Sequence, residues 1–327
     1  MKKSTPSFLE IASTADFDRE VVATFQHQYN NNMVYRSYCD LINIAPNDVQ
    51  RAQDIPYLPI RFFKSHTIQS FEGKPVKTFT SSGTTTSINA QHHLADLSNY
   101  RASFQACFEQ FYGKPKDWAI LALLPSYLER EGSSLIYMMD SLIAQSKNEH
   151  SGFYLDDLAK LNALLLELEQ QKQPTLLLGV SFALLDFTEQ YSLNLSSTTV
   201  MDTGGIKGRR KELTREELHK TLQKGFGVSA IHSEYGMTEL LSQAYAKGDG
   251  RFHCPNWMRV TPFETNDPFA PTEEGKIGRL NIIDLANQES CAFIATDDLG
   301  RSFPDGTFEV MGRLDASDIR GCNLLVY

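Results

Sequence analysis

The chain has 327 residues and carries 40 Asp and Glu against 31 Lys and Arg, a formal charge of −9 with histidine neutral. Hydrophobic residues at 41% and charged residues at 22% exclude a disordered or collagen-like chain, and the length suits one large or two ordinary domains. The acidic balance, broken only by the short basic run Lys207–Lys211, argues against a nucleic-acid partner.

The first residues, MKKSTPSFLEIASTADFDRE, lack the apolar core of a signal peptide, and no stretch approaches 18 apolar residues, so no membrane span is expected. Five cysteines (Cys39, Cys107, Cys254, Cys291 and Cys322) are widely spaced without a C-x-x-C pair. That pattern fits free thiols in a reducing cytoplasm better than a disulfide framework or a zinc knuckle.

Residues 1–75 read as helical and irregular, punctuated by Pro46, Pro56 and Pro59. A strand–helix alternation starts near residue 118. The apolar run Ala119–Leu124 predicts a buried strand ended by Pro125, and Ser133–Ala144 a helix. Asp156 or Asp157 can cap a second helix with Leu158, Leu161, Leu165 and Leu168 on one face. Strands follow at Leu176–Val180, Thr198–Met201 and Val228–His232, with a helix at Thr214–Gln223. This alternation implies an α/β fold with mostly parallel sheets covered by helices. The strands expected at Gly275–Leu285, Cys291–Thr296 and Thr307–Met311 make the end of the chain β-rich. We therefore expect an α/β core with its helical N-terminal region over 1–245, and a β-rich subdomain over 246–327.

Three segments carry chemistry. Thr78–Ser87 (TFTSSGTTTS) places six hydroxyl residues within Thr80–Thr86 around Gly83. Hydroxyls and exposed backbone N–H groups can hold phosphate oxygens, although the segment is not a Walker A loop and reads equally as a Ser/Thr-rich surface turn. Ser233–Glu239 (SEYGMTE) follows the expected strand Val228–His232 at the carboxyl end, where open α/β sheets place ligands. Its tyrosine, glycine, threonine and glutamate suit a base, a ribose, a phosphate and a hard divalent ion; a strand-to-helix turn capped by Thr238 is the plainer reading. Thr296–Gly300 (TDDLG) and Gly312–Gly321 (GRLDASDIRG) offer Asp297 and Arg313 for sugar hydroxyls, but each alone reads as a β-turn. His232 and His253 read as structural histidines, and Lys64 and His66 suggest no role.

Taken together and in order, Thr80–Thr85, Tyr235–Glu239, Thr296–Asp297 and Gly312–Asp315 resemble the T-S-G-T-T-G, Y-G-x-T-E, T-G-D and G-R-x-D elements of the adenylate-forming superfamily. The resemblance runs from about residue 56 onward. Pro125–Arg130 (PSYLER) and Asp318–Cys322 (DIRGC) narrow it to the acyl-protein synthetase, LuxE-like branch. Two departures stand out: Thr86, Ser87 and Ile88 replace the usual Gly-Pro-Lys continuation, and the superfamily's small lysine-bearing C-terminal domain is not included.

The resemblance implies an enzyme that uses ATP and Mg²⁺ to activate a carboxylic acid, in that branch a fatty acid, to acyl-AMP. The acyl group then passes to Cys322 and on to a protein partner such as an acyl reductase. It implies nucleotide contacts from Thr80, Ser81, Ser82, Gly83, Thr84, Thr85, Gly204, Gly205, Tyr235, Gly236, Asp297 and Arg313. Thr238 would face the α-phosphate, Glu239 the metal, and Tyr127 and Arg130 the acyl pocket. A thiolate displacing AMP from a mixed anhydride is sound chemistry, and Arg320 could lower the Cys322 pKa, although a cysteine among Leu324, Leu325 and Val326 also reads as a small buried hydrophobe. A phenylacetate-type CoA ligase acting without its own C-terminal domain and a non-catalytic nucleotide-binding protein are the alternatives.

Overall fold

The computed structural model describes residues 6–81, 88–125, 132–204 and 213–314. Contacts divide the chain into two compact units: one built from residues 1–103, 238–242 and 253–327, the other from residues 104–237 and 243–252. Among the described residues no helix is long and apolar enough to cross a membrane.

The first unit opens with helices α1 (Thr14–Asn31) and α2 (Met33–Leu41). The Ser13 side chain accepts from the Asp16 N–H to start α1, and Asn32 caps α2 in the same way on the Tyr35 N–H. Phe17, Val21, Thr24, Phe25 and Gln28 form the buried stripe of α1. Gln28 is a polar residue on that stripe, fully buried, and its amide is satisfied by the chain far downstream. It donates to the Asn287 and Gln288 carbonyls at 2.9 and 3.0 Å and accepts from the Ala292 N–H at 3.0 Å. The N-terminal helices thus brace the turn at 287–292.

After β1 (Leu58–Pro59) and the short helix α3 (Phe62–Ser65), strands β2 (Lys77–Thr80) and β3 (Gln91–Leu94) pair antiparallel with Phe79 opposite His92. Ser81 and Ala90 close that hairpin: the Ser81 N–H donates to the Ala90 carbonyl, and the Ala90 N–H to the Ser81 hydroxyl. Helix α4 (Ser98–Tyr112) carries the chain into the second unit.

There the elements are β4 (Ala119–Leu123), α5 (Ser134–Ser146), β5 (Gly152–Phe153), α6 (Leu158–Gln170), β6 (Thr175–Gly179), α7 (Ser181–Gln190), β7 (Thr198–Asp202), α8 (Arg215–Phe226), β8 (His232–Tyr235) and β9 (Ala244–Ala246). The strands form a six-stranded sheet in the order β5-β4-β6-β7-β8-β9, parallel except for β9. Helical crossovers are what parallel pairing demands. Leu121, Leu177 and Val200 lie side by side across the sheet and pack with Leu165, Leu184, Leu222 and Phe226. Helix α6 starts at the expected cap, with the Asp157 side chain accepting from the Lys160 N–H at 3.0 Å, and buries Leu161, Leu165 and Leu168.

Strand β8 corrects the expectation for Val228–His232. Helix α8 ends on Gly227 at φ 66°, and the Val228 N–H still serves the Gln223 carbonyl in its C-cap. Pairing with β7 therefore starts only at His232, and Ser233–Tyr235 belong to the strand itself. No helix follows; the chain returns as antiparallel β9, so the strand-to-helix turn is also corrected.

The first unit is completed by β10 (Met258–Phe263), β11 (Gly278–Asp284), β12 (Phe293–Ser302) and β13 (Phe308–Arg313). The order is β1-β12-β11-β10 with β13 on β12, antiparallel apart from β1. TDDLG, expected as a turn, lies inside β12, because β13 pairs with it from Asp298 to Ser302. The register shifts between Leu299 and Gly300, and a side chain at Gly300 would drive its Cβ into the Glu309 carbonyl.

Candidate active site

In the second unit, the carboxyl ends of β6, β7 and β8 lie next to one another. The Asp202 carboxylate ends β7 and accepts from the Ser181 hydroxyl at 2.6 Å and the Gly204 N–H at 3.1 Å. The Ser181 N–H donates to the Gly204 carbonyl at 2.9 Å, so the α7 N-terminus and the turn after β7 are tied together. Gly204 sits at φ 76° with nothing within 4 Å of where a Cβ would lie. Glycine is required there by backbone conformation, and the space above it is open.

At the end of β8, Tyr235 is buried against Phe252, ring centroids 5.8 Å apart, and the Arg215 guanidinium lies over the other partner ring, Phe252, at 5.1 Å. Gly236 follows, and a Cβ on it would meet the Glu234 carboxylate. Desolvation, reinforced by the Asp202 charge, pushes the Glu234 carboxyl up to about 8. Asp202 is raised by burial too, against the Ser181 and Gly204 hydrogen bonds and the Arg215 charge. His232 has the structural role read from the sequence: its ring Nδ1 meets the Tyr112 hydroxyl at 3.0 Å.

Thr238 and Glu239 belong to the first unit. Glu239 is only 6% exposed. Burial raises its carboxyl pKa, while its own N–H and the positive charges of Arg313 and Lys64 oppose that rise. A buried carboxylate that feels positive charge from two side chains is a group prepared to meet a cation. The loop that carries it is fixed residue by residue. His92 Nδ1 lies 2.8 Å from the Thr238 carbonyl, and Asn287 Nδ2 donates to the Glu239 carbonyl at 2.8 Å. Asp284, at the end of β11, accepts from the Leu241 and Ser242 N–H groups at 2.7 and 3.0 Å and from the Ser242 hydroxyl at 2.5 Å. Trp257 Nε1 donates to the same hydroxyl at 2.8 Å.

Asp297 and Asp298 lie where the register of β12 against β11 shifts, and they take different ion-pair partners. Asp297 pairs with Arg61 at 3.2 Å, whereas Arg313 pairs with Asp298 at 3.6 Å. Thr80 ends β2 and Ser81 closes its hairpin, so both lie at the root of the Ser/Thr-rich segment. Ser82, Gly83, Thr84, Thr85, Tyr127, Arg130, Gly205 and Cys322 lie outside the described residues. Sequence reasoning passed over Arg61, His92, Asp202, Glu234, Asp284 and Asn287 and gave Lys64 no role. Of these, Asp202 sits at a strand end, which is a local signal; the others act through partners distant in sequence.

Among the described residues no group of three or more His, Cys, Asp or Glu side chains is placed to hold a metal ion. A hard cation at Glu239 would need substrate oxygens and water to complete its shell, the habit of magnesium. The buried Glu239 carboxylate, the hydroxyl residues Thr80, Ser81 and Thr238 and the cations Lys64 and Arg313 are of the chemistry that would suit a magnesium nucleotide. Among the described cysteines, burial pushes the Cys39, Cys254 and Cys291 thiols up to about 12, and Cys107 is fully buried.

Comparison with known proteins bears on the family and the fold. A family model described as "Acyl-protein synthetase, LuxE" matches residues 12–327. Two long-chain-fatty-acid–luciferin-component ligases, from Aliivibrio fischeri and Vibrio harveyi, are each 24% identical over 94% of this chain and 86% of their own length. Among solved structures, 2-hydroxyisobutyryl-CoA ligase in complex with 2-HIB-AMP and CoA superposes with a TM-score of 0.69 at 11% identity, covering 93% of this chain and 70% of that one. ATP-bound MatB from Rhodopseudomonas palustris gives 0.53 at 17% identity over 72% of this chain and 47% of its own. The fold is that of adenylate-forming ligases, and the chain belongs to the LuxE acyl-protein synthetase family.

Proposed function

We propose that the protein is an AMP-forming ligase that activates a long-chain fatty acid with ATP and then carries the acyl group on a cysteine. The observation that carries this reading is the Glu239 carboxylate, buried and held on a loop whose backbone is fixed from Thr238 to Ser242. Membership of the family and the names of the two curated relatives supply the substrate class.

In the first step a fatty-acid carboxylate oxygen attacks the α-phosphorus of ATP, and the bond to the β-phosphate oxygen breaks to release pyrophosphate. The chain contributes position and charge rather than covalent chemistry at phosphorus. Thr80 to Thr85 hold phosphate oxygens, Thr238 orients the α-phosphate, and Lys64 and Arg313 offset developing negative charge. Tyr235, Gly236, Gly204 and Gly205 receive the base, Asp297 and Arg313 the ribose, and Tyr127 and Arg130 the acyl chain. Glu239 would hold Mg²⁺, which would supply neutralisation of phosphate charge. In the second step the Cys322 thiolate attacks the acyl carbon of acyl-AMP and AMP leaves, giving a thioester. A partner protein, of the acyl-reductase type, then takes the acyl group. The high pKa values of Cys39, Cys254 and Cys291 support assigning the acceptor elsewhere, at Cys322. The free thiols of the described cysteines fit a cytoplasmic setting.

The test is incubation with ATP, Mg²⁺ and a labelled long-chain fatty acid. AMP release and label retained on the denatured chain, lost in Cys322→Ser, are expected. Label transferred to added CoA instead would select the CoA-ligase alternative, and nucleotide binding without AMP release the non-catalytic one.

A further inference from the structure

The loop bearing Thr238 and Glu239 is gripped by two residues that touch each other. His92, on β3, is fully buried, with Phe63 edge-on to its ring at 5.9 Å. Its Nδ1 lies 2.8 Å from the Thr238 carbonyl and its Nε2 lies 2.9 Å from Asn287 Oδ1. Asn287, also fully buried, donates through Nδ2 to the Glu239 carbonyl at 2.8 Å and the Cys291 carbonyl at 2.9 Å. Because both of those partners can only accept, the amide cannot be turned round, and its oxygen must face the histidine. The Asn287 carbonyl is itself held by Gln28 from α1 at 2.9 Å.

We propose that His92 and Asn287 are a positioning pair for the adenylation step, gripping the consecutive carbonyls of Thr238 and Glu239 so that the hydroxyl and carboxylate keep one mutual arrangement. Neither residue touches the reactants; both act through the backbone of the two that do. Burial lowers the His92 pKa to about 4, so the ring is neutral with a single N–H; placed on Nδ1 it donates to the Thr238 carbonyl, and the approach of Nε2 to Asn287 Oδ1 is a packing contact that sets the two residues side by side. A backbone free at these two carbonyls would let the Thr238 and Glu239 side chains rotate independently, and small displacements at a reacting centre cost rate more than binding. His92 is a fully buried polar residue whose ring meets the loop backbone as well as the apolar Phe63, which is what a positioning task calls for. The inference rests on the adenylating function proposed above.

The experiment is fatty-acid-dependent ATP–pyrophosphate exchange, with kcat and the ATP KM measured separately and a urea midpoint taken for every variant. His92→Phe keeps the ring and removes both nitrogens. It is expected to lower kcat about 10- to 100-fold while the ATP KM stays within about threefold. His92→Asn, whose amide can reach the Thr238 carbonyl, is expected to recover most of the lost kcat. Asn287→Ser gives a second arm should His92→Phe fail to fold, and the double variant should lose less than the product of the single losses. Tyr35→Phe, which removes a buried hydrogen bond to the Pro56 carbonyl in the same unit, controls for stability and should leave kcat within about twofold. The proposal is overturned if kcat is unchanged in the folded His92 and Asn287 variants, or if Tyr35→Phe loses kcat alongside stability as they do. A wild-type chain without exchange removes the adenylating function, and this proposal with it.

Discussion

Asp284→Asn is the sharpest stability test of how the loop is held. The Asp284 carboxylate is fully buried and accepts four hydrogen bonds: from the Leu241 N–H at 2.7 Å, the Ser242 N–H at 3.0 Å, the Ser242 hydroxyl at 2.5 Å and the Ala286 N–H at 3.2 Å. The first two reach Oδ2 and the last two Oδ1. An asparagine offers one acceptor oxygen; with its NH₂ at the Oδ1 position the Ser242 hydroxyl can turn to accept, and the Ala286 N–H is left facing the NH₂, donor against donor. Hydrogen bonds to a charged acceptor contribute about 1.5–3 kcal/mol each, so losing one removes about that much. Burial disfavours the charge and raises the Asp284 pKa, so neutralising the side chain returns part of that. The net loss should be about 1–2 kcal/mol, which at a urea slope of about 3 kcal/mol per molar moves the midpoint down by about 0.5 M. Trp257 reports the event locally, because its Nε1 donates to Ser242 Oγ, and a Trp118→Phe background leaves it as the only tryptophan. A midpoint for Asp284→Asn unchanged from that background would refute the argument that this carboxylate holds the segment.

Glu239→Gln should lower pyrophosphate exchange about 10²–10³-fold, the scale of one preorganised electrostatic group, while the urea midpoint holds or rises because a buried charge has gone. Glu234→Gln tests the raised carboxyl pKa. A folded-state pKa of about 8 against 4.5 means that the folded form favours the proton. That contribution is complete below 4.5 and is lost as pH rises toward 8, at about 1.4 kcal/mol per pH unit. The stability of Glu234→Gln relative to wild type should therefore climb between pH 5 and 8 in paired urea titrations; a flat difference would contradict the assignment. Gly204→Ala should cost about 1–2 kcal/mol through its φ of 76° although the methyl group has room, and no loss in the urea titration would show that the turn relaxes.

The α/β core was legible because its signals are local. The Ala119–Leu123 run, the leucine spacing of α6 and its Asp157 cap each report on a few neighbouring residues. The errors arose where tertiary pairing overrode local pattern. Val228 has the composition of a strand residue but completes the α8 C-cap, and TDDLG has the composition of a turn but is paired by β13. The motif residues were visible as a constellation, yet their supports were not. His92 reaches a loop 146 residues away and an asparagine 195 away, and Gln28 reaches Asn287 across 259 residues. No periodicity encodes such pairings. A long polar side chain on a mostly apolar face, as Gln28 is on α1, is the one trace they leave in sequence.

The measurement that bears most directly on the central claim is ATP–pyrophosphate exchange with and without a long-chain fatty acid, in the presence of Mg²⁺ and the absence of CoA. The account predicts exchange that requires the fatty acid and is lost in Glu239→Gln. Wild-type protein that binds ATP yet shows no fatty-acid-dependent exchange would contradict it.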